Sequence, residues 1–196
     1  MKGRIATGMV AAWLWVIMPV SASTVVEMSF QDVVDSAELV FEGEVLSVES
    51  RQTGPRRIHT IVRFRVLDVI KGDHPGDELE LRYLGGEVNG RRMQVTDMEW
   101  PEAGESGVYF VESLQRPLVH PLVGWSQGHY RLAADGQGED RVYTADRQPV
   151  AGHAVSDGGL NLMQLGGPPA AVPAGEFKRR VRDLVDGGGP AREAIP

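Results

Sequence analysis

The string most suggestive of chemistry is Gly124-Trp125-Ser126-Gln127-Gly128, which fits the nucleophile-elbow pattern G-x-S-x-G. Asp135, Asp140 or Asp146 followed by His153 supplies the hydrolase order of acid and base. An elbow also needs a tight strand-to-helix turn, because the helix amides must hold an oxyanion. Here Tyr130-Arg131-Leu132 alternates like a strand and a glycine-rich hairpin follows. Ser126 therefore reads as part of a glycine-flanked loop entering a strand, and a serine hydrolase is the weakest of three functional readings.

Metal chemistry finds little support. His59, His74, His120, His129 and His153 show no helical ligand spacing and no H-E-x-x-H pattern, and they read as scattered surface residues. Only a site assembled across strands stays open. The acidic turn 135–140 lacks the alternating oxygen register of a calcium loop and reads as a solvated hairpin. With no cysteine, thiolate ligands and redox chemistry are excluded. No catalytic residue, metal or cofactor is assigned.

Trp100 and Trp125 each lie in an expected loop beside a proline or glycine. Such residues serve as binding anchors, with a large apolar face and one donor, or as plugs closing the ends of a small barrel. Both readings stand. Trp13 and Trp15 belong to the leader.

That leader occupies residues 1–22. Lys2 and Arg4 precede an uncharged run from Ile5 to Val20, Pro19 breaks the helix, and Val20-Ser21-Ala22 offers small residues for cleavage. This is the layout of a secretory signal peptide, so the chain is expected to be exported, to a periplasm or the medium, and to begin at Ser23. A retained membrane anchor is the rival, since the uncharged stretch reaches Val26. Once the leader is gone no membrane association is expected. The formal net charge of −7 becomes −9 through loss of two cations, which disfavours a phosphate backbone as partner. Residues 23–196 suit one domain, stabilised by burial alone because disulfides are absent.

The elements that would position any site alternate strand upon strand. Ser29–Ala37 reads as a short helix: Ser29 and Asp32 form a capping box, Met28 and Val33 a staple, and Phe30, Val33, Val34 and Ala37 one apolar face. A strand follows from Leu39 to Leu46, with Gly43 marking a bulge or bend. Thr60, Val62, Phe64 and Val66 form the inner face of the next strand, which turns at Lys71-Gly72-Asp73, and Leu79, Leu81 and Tyr83 that of a third. Asn89-Gly90 joins residues 86–88 to 92–96 as a hairpin. Residues 107–114 read as a strand buried on both sides, and 129–133 with 141–145 as a further hairpin. Residues 156–173 form a Gly/Pro-rich loop, 174–187 a helix with Phe177, Val181, Leu184 and Val185 on one stripe, and 188–196 a flexible tail. Six or seven strands with a helix at either side favour a mainly β fold, a small barrel or sandwich. Val62, Phe64, Val66, Leu79 and Leu81 are expected inside a barrel over residues 38–134.

Several segments resemble a known family. Glu38-Leu39-Val40-Phe41-Glu42-Gly43-Glu44-Val45 after a short helix, Phe64-Arg65-Val66-Leu67-Asp68-Val69-Ile70-Lys71-Gly72, and Val108-Tyr109-Phe110-Val111 together resemble the netrin-like OB-fold domain of the tissue inhibitors of metalloproteinases. The chain also looks like exported bacterial proteins with no assigned activity. The resemblance covers Ser23 to about Leu114 and implies an OB-like antiparallel Greek-key barrel, here over residues 23–155 with an added C-terminal hairpin, then the C-terminal helix. It further implies that Ser23 would chelate a protease's zinc through its α-amine and carbonyl while Thr24 enters the neighbouring pocket. The sequence departs where the family has a first-position cysteine whose disulfide pins the terminus. The favoured reading is an exported, non-enzymatic binding protein whose partner is another protein, using Trp100 and Trp125. Inhibition of a zinc protease by Ser23 and Thr24 is the alternative.

Overall fold

A computed structural model describes residues 27–151 and 170–187. The expected leader, Ser23, Thr24, His153, most of the Gly/Pro-rich loop and the tail lie outside the described residues. Within them the chain is mainly β. Strands β1 (Leu39–Gly54), β2 (Arg57–Lys71), β3 (Glu78–Leu84), β4 (Gly86–Val88), β5 (Arg91–Met93), β6 (Ser106–Val111), β7 (His129–Ala134) and β8 (Asp140–Thr144) are accompanied by helices α1 (Phe30–Ser36) and α2 (Ala174–Asp186). Six of the strands form one antiparallel sheet in the order β3-β2-β1-β6-β7-β8, and β4-β5 is a separate hairpin. No described ladder joins the outer strands β3 and β8.

Local chemistry accounts for the elements. Ser29 Oγ accepts the Asp32 amide at 3.1 Å and caps α1, while Met28 and Val33 pack into one cluster as a staple would. Asn89 and Gly90 both take positive φ, 50° and 73°, the requirement of a type I′ turn. The Lys71-Gly72-Asp73 turn is fixed by Gly72 at φ 82°, where a Cβ would lie 2.4 Å from the Glu38 carbonyl oxygen.

Three boundaries differ from expectation by three residues or more, and the first is β5, which stops at Met93 and not at residue 96. β1 continues eight residues beyond Leu46, paired to β2 and mostly exposed from Glu49 onward. β6 stops at Val111, because the Glu112 amide turns away to the Pro121 carbonyl at 2.9 Å.

Both faces of the sheet are covered. α1 and α2 lie over Val40, Val108, Phe110, Tyr130, Leu132 and Val142, and Phe30, Phe110, Tyr130 and Phe177 meet ring against ring. The opposite face gathers Leu39, Phe41, Val45, Val62, Phe64, Leu79, Leu81, Tyr83, Tyr109 and Val111. β6 thus feeds alternate residues to two cores, as its continuous apolar run predicts. Of the five expected inner residues, Val62, Phe64, Leu79 and Leu81 are buried and Val66 is half-buried.

The bend expected at Gly43 has a clear cause. Gly43 pairs with Gly107 across β1 and β6, and a Cβ on either would meet an aromatic ring at 2.8 Å: Phe41 over Gly43, Tyr109 over Gly107. Each ring folds back over the glycine of its own strand. β2 shifts register beside Gly43, leaving Leu67 unpaired and 53% exposed. The next residue, Asp68, receives Arg182 of α2 through two bonds at 2.9 and 2.7 Å, and Lys178 bridges Asp68 and Glu42. That clamp fixes α2 against the sheet.

Candidate functional site

β7 presents Tyr130 and Leu132 to the helix side and His129 and Arg131 to the other. Opposite them Glu105 precedes β6. Its carboxylate meets His129 Nε2 at 2.5 Å, pairs with Arg131, and accepts the Tyr109 hydroxyl at 3.4 Å and the Glu102 amide at 3.3 Å. The Glu105 side chain is only 8% exposed. Burial works to raise its pKa, but the His129 bond, the charges of His129 and Arg131 and the Glu102 amide outweigh it and hold the carboxyl below the usual range. Each acceptor oxygen is engaged, the condition for a buried ion network to persist.

A second group sits beside it. The Val111–Leu122 bridge and the bond from the Val123 amide to the Phe110 carbonyl pin the chain that carries His120. His120 Nδ1 accepts the Leu122 amide at 3.2 Å, so Nε2 carries the proton it donates to the Glu99 carbonyl at 3.3 Å. The ring is neutral. Burial pushes its pKa down to about 4, against the two backbone bonds. Tyr83 meets one side edge-on at 4.9 Å, and Trp125 stacks on it at 5.4 Å and 10°. The Tyr83 hydroxyl is the one buried side-chain polar atom among the described residues without a partner.

Trp125 reaches that stack from an unusual backbone. Gly124 and Trp125 both lie in the left-handed region, at φ 54° and 60°, as the N-cap and first residue of a single turn of 3-10 helix (Trp125–Gly128). A bulky aromatic there is strained, and such strain persists only where surroundings impose it. A cavity of about 190 Å³ opens against Trp125, lined also by Asp97, Glu99, His120, His129 and Asp146. An adjoining groove of about 640 Å³ shares Glu99, Pro101, Ala145 and Asp146 and adds Trp100 and Glu102. The two loop tryptophans therefore serve neighbouring cavities with acidic rims. Trp100 also packs half-buried on the Phe64 core, so it plugs as well as lines.

Ser126 opens on the same cavity but is exposed and shares no hydrogen bond with any described imidazole. Gly128 leads directly into β7, so the strand-to-helix elbow is absent. Asp135 is occupied by Arg141 at 2.8 Å and by its own turn. Among the described residues no three His, Asp or Glu side chains are grouped to hold a metal, and no helix is long and apolar enough to cross a membrane.

The histidine expectation needs correction. His120 and His129 are each 5% exposed, not surface residues, because one is closed in by two aromatic rings and the other by Glu105 and Tyr109. Sequence reading also missed Glu105, Arg131 and Tyr83. The available signal was His129 and Arg131 at two-residue spacing, opposite the apolar Tyr130 and Leu132 of a predicted strand.

The neutral His120 sets an acid limb on stability. Its folded pKa lies below the ordinary 6.5, so the unfolded chain takes up the proton first as pH falls. Stability is expected to be full above pH 6.5 and to decline by about 3 kcal/mol by pH 4. Glu105 and Asp68, both held low, titrate below this window's upper part. Urea melts should show His120→Gln flattening the decline between pH 6.5 and 4.5 while His59→Gln leaves most of it. An unchanged slope in His120→Gln would show that the ring is not held neutral.

No protein-family model, no curated protein and no solved structure matches this chain.

Proposed function

We propose that this chain is an exported, non-enzymatic binding protein of OB-like architecture that takes up a basic segment of another protein at the Trp100–Trp125 face. The observation that carries this reading is Trp125, held in a strained backbone, stacked on a neutral histidine and set beside Asp97, Glu99 and Asp146. Aromatic faces next to carboxylates favour cations. Arg131 and Arg147, the basic residues of the groove, are paired with Glu105 and Glu102. For the OB-like architecture, support comes from the apolar cluster that β3, β2, β1 and β6 carry on one face and from the bend at Gly43.

The test uses intrinsic fluorescence. Without the leader the chain contains two tryptophans, Trp100 and Trp125. A lysine-rich peptide should change their emission saturably and a glutamate-rich peptide should not. Trp125→Ala should weaken the lysine-peptide affinity by about tenfold, a loss of about 1.4 kcal/mol. No saturable change with the basic peptide would overturn the reading.

One contact favours a second reading, inhibition of a zinc protease by Ser23 and Thr24. The Met28 amide donates to Gln127 Oε1 at 2.7 Å, which fastens the chain five residues after Ser23 to the Trp125 turn. That bond would stand in for the missing disulfide. Zinc needs a free amine and carbonyl, so one extra alanine before Ser23 should abolish inhibition while Trp125→Ala should spare it. Inhibition that survives the extension would refute chelation.

A further inference from the structure

A groove of about 560 Å³ shares no lining residue with the tryptophan cavities. Arg57 and His59 at the start of β2 and Glu80 and Arg82 on β3 form one wall, and residues 113–118 form the other. In the ladder Arg82 faces Ile61, which makes it the diagonal neighbour of His59. Glu80 is engaged by Arg63 at 3.1 Å, and Arg116 by Glu112 at 2.8 Å. Arg57 and Arg82 stand in no ion pair among the described residues. His59 meets Thr53 through Nδ1 at 2.5 Å, and its Nε2 has no described partner. Two unmatched guanidinium groups facing one groove are notable in a chain of net charge −7.

We propose that this groove binds a ligand through an oxyanion, carboxylate or phosphate, seated between Arg57 and Arg82, with Leu114 and Leu118 against the ligand's apolar remainder. Guanidinium forks match both oxyanions in geometry and stay charged throughout the accessible pH range. Leu114 is 36% exposed, an apolar surface left open at the groove wall.

His59 is a built-in reporter. Burial first, then the charges of Arg57 and Arg82, hold its pKa below the ordinary value. An oxyanion between the arginines opposes their effect and raises it. The experiment follows the His59 ring proton by NMR across pH while the exported protein is titrated with inorganic phosphate and, separately, with citrate, against a chloride background. A saturating shift with a raised His59 pKa is expected. Saturation by phosphate alone identifies a phosphate-bearing ligand, and saturation by citrate alone a carboxylate-bearing one. Arg57→Gln combined with Arg82→Gln should weaken binding at least tenfold. Arg92→Gln, an exposed arginine outside the groove with no ion pair among the described residues, should not. The proposal is overturned if neither anion saturates, or if Arg92→Gln weakens binding as much as the double substitution, which would mean diffuse screening.

Discussion

Replacing Phe64 by alanine is expected to lower the unfolding free energy by about 3–5 kcal/mol. Phe64 is fully buried, lies edge-on to Phe41 at 5.4 Å and to Tyr109 at 4.7 Å, and is paired with Val45 on one side and Leu79 on the other. The cost of a truncation depends on how far its surroundings can collapse into the vacated space. Here they are held. Phe41 and Tyr109 each occupy the space above a glycine of their own strand, and neither ring can swing toward position 64 without uncovering that backbone. The expected loss therefore lies toward the upper end of the range. Urea melts at neutral pH measure it, with Leu67→Ala as the control. Leu67 is 53% exposed at the register shift and should change stability by no more than about 0.5 kcal/mol. A loss under about 1 kcal/mol for Phe64→Ala would mean that the core closes over the gap.

The same cluster shows why parts of this fold are legible in sequence. β2 and β3 bury one face, and alternation at Thr60, Val62 and Phe64 and at Leu79, Leu81 and Tyr83 marks that face directly. The cap of α1 and the stripe of α2 are equally local. The outer half of β1 is not legible, because residues 49–53 are mostly exposed and hydrogen bonding to β2, rather than burial, makes them a strand. The site is harder still. Glu105 is one of 27 acidic residues, and its partners His129 and Arg131 lie more than twenty positions away in sequence. Only the pairing of β6 with β7 brings them together. His120 is hidden for a similar reason: its neutrality follows from Tyr83 and Trp125 on either side, contacts made across the sheet edge and a loop. Trp125 was visible as a candidate, but its positive φ and its histidine partner were not.

Glu105→Gln is expected to cost about 3–5 kcal/mol, the scale of breaking a buried ion pair by removing one partner. Glutamine keeps the shape and one acceptor oxygen, so the Tyr109 hydroxyl and the His129 ring can still find an oxygen. What is lost is charge. Arg131, 17% exposed, then faces a neutral amide, and the amide group presents its own donors where the carboxylate presented only acceptors. The pH dependence separates this electrostatic loss from a packing defect. The folded carboxyl titrates below its unfolded value, so the wild-type advantage is complete above the unfolded pKa of about 4.5. As pH falls through that value the unfolded chain protonates first, and the advantage fades toward the folded pKa. The stability gap between wild type and Glu105→Gln should therefore narrow on acidification below pH 4.5, while the decline set by His120 at higher pH persists in both. Arg131→Met should also destabilise, and the double variant should lose less than the sum of the two single variants, because each single change strands the other's charge. A gap that stays constant down to pH 3, or single losses that simply add, would show that Glu105 acts through packing and not as the counter-charge of Arg131.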